Sequence, residues 1–207
     1  MVHVKICGIT TVADALACAD AGASAIGLNF VPSSPRCLTA GRAREIARAV
    51  QPSKVLVVGV VADLDVDAMR NLVEDAELGC LQLHGRETPE TLAQLLPHAY
   101  KAVRIGTAAD VDHARRFGGE YLLADAKVAG ALGGTGETFD WSLVKGLARE
   151  RRLTLAGGLR PENVAEAVSA VEPWCVDVAS GVEHEPGVKD HSAIRRFVAE
   201  ANVRARR

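Results

Sequence analysis

Along the 207 residues a short apolar run, a glycine-rich or polar junction and a helical stretch follow one another eight times, at intervals of roughly 25. The apolar runs read as strands at Val4–Cys7, Ser24–Phe30, Lys54–Val61, Cys80–Leu83, Lys101–Ile105, Tyr121–Ala124, Leu153–Ala156 and Trp174–Val178. Lys54–Val61 is almost wholly β-branched or aliphatic, the pattern of a parallel strand buried on both faces. Helices are expected to open at Thr39, at Thr88-Pro89 and at Pro161, with the fourth running to Leu96 and the last from about Asp190 to Ala205. Eight such units predict an α/β fold, a (β/α)8 or TIM barrel, with residues 1–207 as one domain and no linker.

Composition narrows the function classes. Net charge is −2 and aromatic content 4%, so neither a basic patch nor a stacking platform for nucleic acid is expected. No apolar run approaches the ~20 residues that cross a bilayer, and nothing reads as a leader peptide, so no membrane partner is expected. The five cysteines are widely spaced and odd in number. They suit neither a disulfide framework nor a metal site, and point to a reducing cytoplasm.

In a parallel barrel the chemistry gathers where strands end. Cys7 closes the first strand and is followed at once by Gly8; Asp125 ends the sixth, well away around the ring. One can remove a proton and the other donate one across a bound substrate, although a small buried thiol and a loop carboxylate are the plainer readings. Gly157-Gly158 and Ser180-Gly181 end strands seven and eight, where barrels commonly bind phosphate through backbone N–H groups. Gly133-Gly134-Thr135-Gly136 offers either a flap over the same end or a plain flexible loop. Arg36 lies in the stiff loop Pro32-Ser33-Ser34-Pro35 and suits a bidentate grip on a carboxylate. Strand parity puts His3, Lys5 and Cys7 on one face, Cys80, Gln82 and His84 on one face, and Cys175 and Asp177 on one face. Lys5 and Asp177 would then meet inside the barrel, as a buried pair or as ligand contacts.

The ordered set Lys5-Ile6-Cys7-Gly8, Ser34-Pro35-Arg36, Gln82-Leu83-His84-Gly85, Gly133–Gly136 with Phe139-Asp140-Trp141, Leu155–Leu159 with Pro161–Val164, and Asp177–Glu183 followed by Pro186-Gly187 and Lys189-Asp190 resembles the phosphoribosylanthranilate isomerases of tryptophan biosynthesis over essentially the whole chain. The resemblance implies an Amadori rearrangement of N-(5-phosphoribosyl)anthranilate, with Asp125 as general acid at the ribose ring oxygen and Cys7 as general base at C2. It implies Arg36 on the anthranilate carboxylate and the Gly157-Gly158 and Ser180-Gly181 loops on the phosphate, with His84 and Asp177 lining the mouth as further substrate contacts. Asp125 must then arrive still protonated, and Cys7 must ionise, helped either by Lys5, two residues back on the same face, or by the iminium itself. The substrate becomes its own electron-withdrawing iminium, so no cofactor or metal is expected; the expected partner is this small phosphorylated substrate, and the protein a monomer or homodimer. The chain departs from the family pattern at Val31, Cys37, Val60-Val61, Ala126 and Ala179, none of them a proton-transfer position. The alternatives are another phosphosugar barrel isomerase, which would be expected to carry a carboxylate where Cys7 stands, and a catalytically silent barrel serving as a binding partner.

Overall fold

A computed structural model describes residues 1–126 and 140–203. The expected flap Gly133-Gly134-Thr135-Gly136, and Phe139 beyond it, lie outside the described residues. The chain runs β1 (His3–Cys7), α1 (Val12–Asp20), β2 (Ala25–Asn29), α2 (Ala40–Val50), β3 (Leu56–Val61), α3 (Val66–Ala76), β4 (Cys80–Leu83) and α4 (Pro89–Ala93). It continues with β5 (Ala99–Ile105), α5 (Ala108–Arg115), β6 (Tyr121–Ala126), α6 (Lys145–Glu150), β7 (Arg152–Leu155), α7 (Val164–Val171) and β8 (Cys175–Val178). After β8 come two short strands, β9 (Glu183–Glu185) and β10 (Val188–Lys189), and then α8 (His191–Ala201).

Strands β1 to β8 pair in chain order, all parallel, and β8 returns to β1 to close the barrel expected from the eightfold repeat. Alternation sorts the side chains into two cores. Ile6, Ile26, Leu28 and Val61 face outward onto the helices, while Ala25, Val58, Tyr100, Ala102, Leu123 and Ala156 fill the interior. Each large aliphatic side chain fully withdrawn from water contributes about 1.5–3 kcal/mol. β3 is buried on both faces, as its composition predicts: Val57, Val58, Val60 and Val61 are all buried.

The helices begin where short polar side chains catch free amides. Thr11, Thr39, Asp65, Thr88, Thr107 and Asp190 each accept a hydrogen bond from a backbone N–H in the first turn. Three of the helix boundaries named above differ from expectation. α4 stops at Ala93 rather than Leu96, because Leu96 precedes Pro97 and is steered out of helical geometry; tight turns from Leu92 O to Leu95 N and from Leu95 O to His98 N finish the segment. α7 begins at Val164 rather than Pro161, because Asn163 folds its amide back, accepting from Arg160 N at 2.8 Å and donating to Gly158 O at 3.0 Å. α8 ends at Ala201. The antiparallel ribbon of β9 and β10 was not expected at all; Pro186-Gly187 turns it, with Gly187 at φ +88°.

Candidate active site

The C-terminal ends of the strands enclose a cavity of about 360 Å³. Cys7, Arg36, His84, Asp125, Gly157, Gly158, Asp177 and Ser180, all singled out from the sequence, share its wall; Gly181 does not.

Cys7 reaches the cavity because β1 ends there. Gly8 takes φ +75°, turning the chain away, and Gly8 N and Ile9 N both donate to Gly27 O. A side chain at Gly27 would strike Cys7 Sγ and crowd Lys5 Nζ, so that small residue makes room for thiol and ammonium together. Lys5 and Asp177 meet as parity predicts: Nζ donates to Oδ2 at 3.0 Å, both side chains buried. Burial works against the Lys5 ammonium, yet Asp177 and the other facing groups outweigh it and hold Lys5 well above its ordinary range. Burial pushes the Cys7 thiol up; Lys5 and Lys189 pull it back and Asp177 pushes with burial, leaving it above an ordinary thiol. The cationic help expected from Lys5 is present, and is too small to ionise Cys7 by itself.

Arg36 is held more firmly than by prolines alone. Ser34 Oγ accepts from Arg36 N at 3.1 Å, and Asn29 Oδ1 accepts from Val31 N at 2.8 Å, fixing the loop at both ends. The arginine stem lies where a Cβ on Gly8 would be. Its fork, expected for a substrate carboxylate, is engaged by Glu183: Nε donates to Oε1 at 2.8 Å and Nη2 to Oε2 at 2.6 Å. Glu183 Oε1 also accepts from Lys189 Nζ at 2.8 Å, and Lys189 donates onward to Cys7 O at 2.6 Å and Ala179 O at 3.1 Å. Burial opposes the Glu183 charge, but Arg36 and Lys189 overcome it and hold the carboxyl below its usual range. Burial lowers Lys189, against the pull of Glu183. Glu183 and Lys189 belong to the ordered motif set but receive no role from the sequence, because only the ribbon folds them back over β1. The Pro186-Gly187 turn between two short extended runs was the available signal.

On the opposite side Asp125 is buried near the end of β6, and His84 stands just beyond β4. His84 Nε2 lies 3.3 Å from Asp125 Oδ2. Although that is ion-pair distance, among the described residues His84 Nε2 makes no hydrogen bond of good alignment. Its other nitrogen, Nδ1, is 3.0 Å from Gln82 Nε2.

The two glycine loops differ. Gly157 and Gly158 sit at φ +89° and +65°, consecutive left-handed residues that bring backbone to the cavity wall with no Cβ in the way. Ser180 lines the cavity beside them, whereas Gly181 packs against the neighbouring loop: any Cβ there would overlap the Leu159 carbonyl.

A closed eight-stranded parallel barrel with thiol, carboxyl, imidazole, guanidinium and two bare-backbone loops around one mouth defines a barrel enzyme handling a small polar molecule. Residues 4–200 match the family model for N-(5'-phosphoribosyl)anthranilate (PRA) isomerase, and the chain belongs to that family of aldose–ketose isomerases, which perform the Amadori step of tryptophan biosynthesis. It is 46% identical over 204 residues to the N-(5'-phosphoribosyl)anthranilate isomerase of Myxococcus xanthus, covering 97% of this chain and 96% of that one. The crystal structure of the Thermotoga maritima phosphoribosyl anthranilate isomerase superposes with a TM-score of 0.90 at 38% identity, covering 98% and 99% of the two chains. A phosphoribosyl anthranilate isomerase in complex with reduced 1-(o-carboxyphenylamino)-1-deoxyribulose 5-phosphate matches at a TM-score of 0.86 and 37% identity, covering 98% and 99%.

Proposed function

We propose that Asp125 and Cys7 divide the proton transfers of this rearrangement between opposite sides of the cavity. Asp125 gives its proton to the ribose ring oxygen as the C1–O bond breaks, and the anthranilate nitrogen supplies the electron pair that forms the C1=N iminium. Cys7, as thiolate, removes the C2 proton, and that electron pair moves into C1=C2 as the iminium collapses to an enolamine. Loss of the enol O–H proton and gain of one at C1 give the amino ketose. C2 is oxidised and C1 reduced within one molecule, so the step balances without an outside oxidant.

The observation that carries this reading is that Cys7 and Asp125 face one cavity from separate strands, with Gly157, Gly158 and Ser180 on its wall for the phosphate. Arg36 meets the anthranilate carboxylate with the edge of its fork that carries Nη1, the nitrogen outside the Glu183 pair. Because Cys7 is pushed up in the free protein, its ionisation belongs to the complex, where the adjacent iminium favours thiolate. His84 and Asp177 complete the wall. Residues 1–207 act as one catalytic domain on a small phosphorylated substrate, and five free cysteines support a reducing cytoplasm as its place of work. Among the described residues no helix is long and apolar enough to cross a membrane. A related Thermotoga maritima protein is described as dimeric, which supports testing for a homodimer here.

The direct test is turnover of freshly generated phosphoribosylanthranilate, followed by loss of anthranilate fluorescence. Turnover that disappears in Cys7→Ser and in Asp125→Asn supports the assignment; a near-normal Asp125→Asn overturns the choice of acid.

A further inference from the structure

His84 is tied to the barrel interior by two buried links. The Tyr100 hydroxyl donates to Gln82 Oε1 at 3.0 Å, and Gln82 Nε2 meets His84 Nδ1 at 3.0 Å. Tyr100 and Gln82 are both buried inside the barrel, beneath the mouth. The direction of the chain follows from its first member. Burial raises the Tyr100 phenol well above its ordinary range, so it keeps its proton, and that proton needs an acceptor. Among the described residues Gln82 Oε1 is the acceptor it has. With its oxygen committed to Tyr100, the amide turns its NH₂ toward His84, and Nδ1 must accept. Neutral imidazole then carries its one proton on Nε2, the atom 3.3 Å from Asp125 Oδ2.

We propose that Tyr100 and Gln82 are positioning residues for this isomerase: they lock His84 in the Nε2–H tautomer, so that a donor stands beside the Asp125 carboxyl. The proposal rests on the reading of Asp125 as the general acid. When Asp125 gives up its proton, negative charge appears on a carboxylate with no bulk water around it. A short turn of the imidazole brings Nε2–H into line with Oδ2, and the new charge takes a hydrogen bond that the neutral acid did not have. Stabilisation that grows as the charge develops speeds the chemical step rather than binding. The other tautomer works against catalysis: a bare Nε2 lone pair would accept the Asp125 proton and hold it away from the ring oxygen. Tyr100 touches neither substrate nor Asp125 in this scheme. Its effect passes through one amide.

The test reads the tautomer and the rate separately. Side-chain ¹⁵N NMR of wild-type protein labelled at histidine should show His84 with a protonated Nε2 and an unprotonated Nδ1. In Gln82→Glu the side chain offers only acceptors, so the His84 proton should move to Nδ1, with kcat falling about tenfold or more and KM little changed. Tyr100→Phe frees the amide to turn over and should give mixed tautomers and a smaller loss of kcat. A wild-type spectrum with the proton on Nδ1 overturns the proposal, and it needs no variant to fold. So does a Gln82→Glu protein that moves the proton but keeps wild-type kcat. The acid assignment fails separately, by a near-normal Asp125→Asn, which leaves the tautomer signature unchanged.

Discussion

Arg36 and Glu183 face each other as two parallel bonds, 2.8 and 2.6 Å long, between one edge of a guanidinium and both oxygens of a carboxylate. The pair is largely buried, with Arg36 13% and Glu183 3% exposed at the side chain. In the proposed binding mode a substrate carboxylate would meet an arginine whose orientation is already set, and little rotamer freedom would be lost on binding. Lysine at this position keeps the charge but has no fork to hold Glu183 and present a second edge. Arg36→Lys is expected to raise KM by about 10- to 100-fold with a much smaller change in kcat, in steady-state turnover of phosphoribosylanthranilate.

Cys7 and Asp125 are expected to differ in kind from Arg36. Cys7→Ser and Asp125→Asn should each lower kcat by about 10² or more while product binding, followed by calorimetry, stays within a few-fold of wild type. The pH profile follows from the thiol. Its free-protein ionisation is displaced upward by burial, so kcat/KM, which reports the free enzyme, should still be climbing above about pH 8.5, where an ordinary thiol is half ionised. A rising limb complete by pH 7 would show that Cys7 ionises before substrate arrives.

Lys5 and Asp177 pair inside the barrel, and neither has bulk water to fall back on. Asp177→Asn leaves a buried ammonium without its counter-charge and should cost about 3–5 kcal/mol in urea unfolding. Replacing both partners, as Lys5→Met with Asp177→Leu, should recover most of that loss. If the single and double variants are equally destabilised, the charge pairing is not what matters.

Gly181 is the tightest approach between the two glycine loops, since a Cβ would overlap the Leu159 carbonyl, which is backbone and has no side-chain freedom to yield. Gly181→Ala should push these loops apart, weakening competition by inorganic phosphate and raising KM at least several-fold. Unchanged phosphate inhibition would show that the loops do not hold the phosphate.

Alkaline stability should depend on the cysteines away from the reaction. Burial pushes Cys18 and Cys175 up to about 12 and Cys80 up to about 11. Each folded-state value lies above that of the unfolded thiol, so their stabilisation is intact below about pH 8.5 and is lost as pH rises toward the folded value. At pH 10 each should have lost about 2 kcal/mol. Cys18→Ala should flatten the decline in urea midpoint between pH 8 and pH 10 under reducing conditions.

What the sequence made legible was whatever depends on near neighbours and on period. Lys5 and Asp177 could be paired because strands one and eight close a barrel and alternation decides the face. Thr39 could be named as a cap because its partner amide, that of Arg42, is three residues on. Tyr100 was missed for a local reason: the fifth strand was read from Lys101, and the true β5 begins at Ala99. That difference hides an inward-facing phenol. Glu183 and Lys189 needed the ribbon itself. Their partners Arg36 and Cys7 lie 147 and 182 residues away in the chain, and no periodicity reaches that far.

The seam between β1 and β8 also sets an order in time. Cys7 leaves the ribosome long before Asp177, Glu183 and Lys189, which fix its surroundings. Thr10 Oγ1 waits for Gly187 O, 2.8 Å away in the finished barrel, and Asp14 Oδ1 for His191 Nε2 at 2.7 Å. A nascent chain halted before β8 would carry the Cys7 thiol on an unpaired strand edge, open to oxidation and to neighbouring chains. Cover for Cys7 and the charged groups around it thus arrive together, when the last strand docks on the first.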